Sequence, residues 1–89
     1  MPIVSIPPPY RGPTHGEARV PVDGASPREC LVAVDVKYPG FLALVLDAEG
    51  ALHRFVKLFV SEEPLTPDAL DAPLDPDAEL TVIAAIGGG

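Results

Sequence analysis

A chain of 89 residues, 47% of them hydrophobic, builds one small core and leaves little room for an internal active site, which favours a carrier or binding module over an enzyme. Thirteen acidic side chains against six lysines and arginines give a net charge of −7 and exclude the basic footprint that nucleic-acid phosphates demand. The same imbalance suits a partner protein with a basic patch.

The N-terminal stretch, Met1 to Tyr10, lacks the basic start and long apolar run of a signal peptide, and no segment reaches the roughly 18 apolar residues of a membrane span. A soluble, cytoplasmic protein without a membrane partner is expected. Ile3, Val4 and Ile6 predict a first strand, which Pro7, Pro8 and Pro9 stop because proline has no N–H to donate. A loop over Tyr10 to Glu17 leads to Ala18, Val20 and Val22, which alternate with Arg19 and Pro21. This predicts a second, short strand at a sheet edge, pairing with the first as a hairpin.

Ser26-Pro27-Arg28-Glu29 carries a helix start. Ser26 is placed to accept from the backbone N–H at the third helical position, Glu29 to reach back to the Ser26 N–H, and Pro27 occupies the first helical position. Leu31, Val34 and Tyr38 fall on one face, and Pro39-Gly40 ends the helix. Val32, Val34 and Val36 weaken helicity and make a strand the competing reading; the capping box decides for the helix. Phe41 to Leu46 predicts a further short helical turn, closed by Asp47 to Gly50.

Leu52 to Val60 alternates as a strand with one strongly apolar face, and Ser61 to Pro64 reads as a turn. Pro64, Pro67, Pro73 and Pro76 make Leu65 to Asp77 mostly loop with one short helical turn. Glu79 to Ile86, apolar on both faces, predicts a central strand under a helix. The order predicts an α+β domain: a mixed sheet of four to five strands with one main helix across it.

Few side chains suggest chemistry of their own. Cys30 lies near a helix start, where a thiolate is favoured, yet a lone cysteine is more often a small buried hydrophobe; it also rules out an internal disulfide, in keeping with a reducing compartment. His15 and His53 have no ligand-spaced neighbours, so no metal site is expected. Glu62, Glu63, Asp75, Asp77 and Glu79 read as a solvated acidic face, since their spacing fits no calcium loop.

The informative feature is the end, Gly87-Gly88-Gly89. At a glycine usage of about 7%, three in a row arise by chance about 0.03% of the time. Without side chains, such an end threads a channel that any Cβ would block. Together with Tyr38-Pro39-Gly40, the run Leu52 to Val60, Asp75-Pro76-Asp77 and Leu80 to Ile86, this end makes nearly the whole chain resemble the ubiquitin-like sulfur carriers, the group of the molybdopterin-synthase small subunit and the thiazole-synthesis carrier, nearest to the cysteine-biosynthesis carriers. The chain departs from that pattern at Lys57 and Ser61, where asparagine is frequent, and in ending on three glycines where many members have two.

The resemblance implies a ubiquitin-like β-grasp domain over residues 1–86 with a flexible glycine tail over 87–89. It implies a monomeric carrier, with no bound cofactor and no catalytic residue of its own. An ATP-dependent activating enzyme would adenylate the Gly89 carboxylate while Gly87 and Gly88 thread its active site. A persulfide or sulfide donor would convert the adenylate to a thiocarboxylate, and an acceptor enzyme making cysteine, molybdopterin, thiamin or another sulfur metabolite would take the sulfur. Phe59, Leu58 and Ile86 would dock the partner. A ubiquitin-like modifier joined to lysines through Gly89 is the alternative.

Overall fold

The computed structural model describes residues 1–84. A five-stranded mixed sheet runs in the order β2-β1-β5-β3-β4, with β1 Ile3–Ser5, β2 Arg19–Pro21, β3 Val56–Val60, β4 Glu63–Pro64 and β5 Glu79–Ala84. One face carries the main helix α1, Pro27–Lys37, and the short α2, Leu42–Val45. Strand β5 lies in the middle, parallel to β1 and antiparallel to β3. Val4, Val20, Leu58, Leu80 and Val82 point from the sheet into the core, where Leu31, Val34, Phe41 and Val45 meet them.

The capping box forms with one change. The Ser26 hydroxyl accepts from the Glu29 backbone N–H at 3.2 Å, as predicted, but the Glu29 carboxylate reaches past Ser26 and accepts from the Ala25 N–H at 3.1 Å. Pro27 sits at the first helical position, and Arg28 ties the helix start to two distant loops through the Gly50 carbonyl at 2.6 Å and Asp71 at 2.7 Å. Leu31 and Val34 are fully buried, while Tyr38, the cap residue, is half-buried against the core.

Three elements depart from expectation. The strand predicted from Leu52 begins only at Val56, because Leu52 instead bridges Leu46 and the His53 N–H bonds the Val45 carbonyl at 2.9 Å, turning the chain back toward α2. The predicted turn after Val60 contains a strand: Ser61 and Glu62 take positive φ values of 48° and 75°, tight enough for Glu63 and Pro64 to pair with β3. And β5 is covered on one side only, since Glu79, Thr81 and Ile83 face away from the helix.

Both sheet edges carry a proline in the outward register. The Ile6 N–H bonds the Ala18 carbonyl and the Val22 N–H bonds the Pro2 carbonyl, so Arg19 and Pro21 turn their backbone outward. On the far side the Leu65 N–H bonds the Leu58 carbonyl, which leaves Pro64 on the rim. Neither position offers an N–H to a passing strand.

Replacing Ser26 with alanine removes the α1 cap and is expected to lower unfolding free energy by about 1 kcal/mol, read by urea titration; no change beyond error would dismiss the cap as a stabilising contact.

Candidate functional site

The sheet face opposite the helices is open, and the strand registers assign its residues. Arg19, Ser5, Thr81, Phe59 and Pro64 form one row across all five strands; Pro21, Ile3 and Glu79 lie beside it, and Ile83 with Lys57 on the other side. Phe59 is half-buried, and Ile83 is 39% exposed. Arg19 reaches across β1 to Glu79, Nη1 to Oε2 at 3.2 Å. Just before β3, Phe55 is 52% exposed, with the Arg54 guanidinium 5.3 Å from its ring centre.

Ala84, opposite Val56, is the last described residue of β5, and the residues after it lead to the glycines. Ile86, Gly87, Gly88 and Gly89, the docking and tail positions expected from sequence, lie outside the described residues. Because β5 is paired on both sides and anchored by Leu80 and Val82, the sheet fixes where that end begins.

Leu58, expected from sequence to dock a partner, does not reach the surface. It is 2% exposed and points into the core, because residues alternate across a strand and its neighbour Phe59 takes the open side. Ile83 and Lys57 take its place on the surface. The signal for them was that same alternation: with Leu80 and Val82 inward, Ile83 must face outward, and the uniformly apolar composition of β5 masked it.

The remaining candidates have structural explanations. Cys30 is fully buried, and that burial, with the Glu29 charge adding to it, pushes its thiol pKa up, away from the reactive thiolate. An added Cβ at Gly24 would lie 2.8 Å from the Cys30 sulfur, so the pocket around it is closed. His53 meets the Ala43 carbonyl through Nε2 at 3.1 Å, and the His15 ring lies 5.9 Å from that of Tyr38. Among the described residues no cluster of histidine, cysteine and carboxylate side chains could hold a metal. Asp75 accepts from the Asp77 backbone N–H at 2.8 Å, holding its own turn. Among the described residues no helix is long and apolar enough to cross a membrane.

A central strand that runs from a helix-covered mixed sheet toward a glycine end defines a ubiquitin-like β-grasp protein. No protein-family model matches the sequence, nor does any curated protein. Solved structures do. A chain of the BexX/CysO complex of Amycolatopsis orientalis is 32% identical, with complete coverage of both chains and a TM-score of 0.90. CysO of Mycobacterium tuberculosis is 26% identical, covers 97% of this chain and 100% of its own, and gives 0.88. SAMP1 of Haloferax volcanii, at 20% identity, 99% and 98% coverage and a TM-score of 0.77, shares the fold. The chain belongs to the ubiquitin-like sulfur carrier family, in the group of the CysO proteins. The two CysO neighbours are small carrier proteins rather than enzymes.

Leu58→Ala is expected to lose about 2–5 kcal/mol of stability. Ile83→Ser, on the open face, should shift the unfolding midpoint little; equal losses in both would mean that the assignment of faces is wrong. In the folded protein Cys30 should resist a disulfide-exchange reagent that labels it at once in denaturant.

Proposed function

We propose that the chain carries sulfur as a thiocarboxylate on Gly89. The support is its full-length similarity to CysO together with the three glycines at its end, which only residues 85 and 86 separate from Ala84 of the central strand. A carboxylate resists attack because it is anionic and its oxygen leaves poorly. An activating enzyme removes both obstacles: a Gly89 carboxylate oxygen attacks the α-phosphorus of ATP, pyrophosphate departs, and an acyl adenylate remains. Hydrosulfide then attacks the acyl carbon, AMP leaves with the bridging oxygen, and the product is a thiocarboxylate. A persulfide donor gives an acyl disulfide instead, which a thiol reduces to the same product with formation of a disulfide.

The thiocarboxylate is a soft nucleophile for the acceptor enzyme. The glycines give the end the narrow cross-section that both partner active sites need, and the body acts as a handle in the way a large coenzyme does. The open face, with Phe59 and Ile83, is the docking surface, and Ile86, two residues after Ala84 in sequence, joins them in contacting the partner. The carrier binds no cofactor of its own, and its need for an ATP-using partner and reduced sulfur assigns it to the cytoplasm. That the Amycolatopsis relative was solved with BexX supports docking of such a body on a second protein.

Incubation with an activating enzyme, ATP and sulfide is expected to raise the intact mass by about 16 Da, oxygen replaced by sulfur. Deleting Gly88 and Gly89 should abolish the change while leaving the unfolding midpoint unaltered. Adducts on lysines of other proteins, without the mass rise, would make the chain a modifier instead.

A further inference from the structure

The sequence holds three amines, the Met1 terminus and the side chains of Lys37 and Lys57, and the fold sets them at different distances from the end of β5. Lys57 pairs with Ile83 in the β3–β5 ladder, and Val56 pairs with Ala84. Paired Cα atoms lie about 5 Å apart, so Lys57 is a close neighbour of the last described residue. Its side chain is exposed on the open face, because Val56 and Leu58 on either side of it point into the core. Met1 lies at the other end of the sheet: Ile3 pairs with Glu79, five strand residues or about 17 Å from Ala84, and Met1 is further out still. Lys37 is in the last turn of α1, in the helix layer, with its amine 5.9 Å from the centre of the Tyr38 ring. That ring lies beside His15, in the loop between β1 and β2, with 5.9 Å between the centres.

Resting on the carrier reading, we infer that Lys57 is an internal trap for the activated end: where sulfur does not reach the Gly89 adenylate, the Lys57 amine takes the acyl group and closes a ring within one chain. The Nζ lone pair forms a bond to the Gly89 acyl carbon, the bond from that carbon to the bridging oxygen breaks, AMP leaves with the electron pair, and the amine gives a proton to water. The product is an isopeptide between residues 57 and 89. Residues 85–89 span at most about 17 Å when fully extended. The ring to Lys57 therefore closes with length to spare, whereas Met1 lies out of reach and Lys37 requires a turn around the sheet rim into the helix layer. A tether this short holds its ends at an effective concentration of about 1 mM, above that of amines on other copies at micromolar protein. The closed form has no free terminal carboxylate, so it takes no further part in the cycle. Sulfide and Lys57 thus compete for one intermediate, and the supply of sulfur decides which product forms.

The test is incubation of the wild-type chain with an activating enzyme and ATP, with and without sulfide, read by intact mass. Without sulfide a species about 18 Da lighter, one water lost, should accumulate; with sulfide the form about 16 Da heavier should replace it. Cleavage of the lighter species after glutamate should release residues 50–62 joined to residues 80–89, because Glu49, Glu62 and Glu79 bound those segments. Its fraction should stay constant over a roughly 100-fold range of carrier concentration, as closure within one chain requires. Lys57→Arg should lower that fraction roughly tenfold or more, and Lys37→Arg should leave it unchanged. The joined fragment comes from the wild-type chain, so it decides the matter even where a variant is charged poorly. A heavier form with sulfide but no lighter form without it overturns the inference and leaves the carrier reading intact. So does a linkage mapped to Lys37, Met1 or another copy, or a lighter form undiminished in Lys57→Arg. No mass rise with sulfide overturns the carrier reading and this inference with it.

Discussion

The pairing of β5 on both sides is the constraint on which the structure depends. A strand held by β1 in parallel and by β3 in antiparallel register cannot slip by one residue without turning Leu80 and Val82 out of the core and Thr81 and Ile83 into it. Parallel pairing with β1 also requires a long crossover, and α1, α2, β3 and β4 all lie within it. The strand that precedes the glycines in sequence is thus the one most firmly set by the rest of the chain.

From that constraint comes a separation of tasks between the two faces of one sheet. The covered face is apolar and contains the lone thiol, which burial keeps from acting as a nucleophile. The open face is mixed, with an ion pair spanning β1, a half-buried phenylalanine and Lys57 opposite Ile83. Burial of the lone thiol leaves the open face without a reactive thiolate.

Much of the fold was legible because the signals are local. Ser26, Pro27 and Glu29 state a helix start in four residues, and Pro21 states an edge. What sequence misjudged depends on distant partners. Glu29 selects Ala25 over Ser26 according to how the chain enters the helix, and Leu52 leaves its predicted strand because Leu46 is within reach. Strand β4 escaped notice because two residues, one a proline, carry no periodicity. The glycine end was the plainest sequence signal, being a composition rather than a shape, and it lies outside the described residues. Which residues reach the open face was only partly legible: choosing between Leu58 and Phe59 requires knowing which side the helix covers, and that is a tertiary fact.

Pro21 and Pro64, the rim residues of β2 and β4, close the sheet against its own kind. High local concentration is where unguarded strands begin to stack into fibrils. Two imino acids at the outermost positions let this small acidic body accumulate without that hazard.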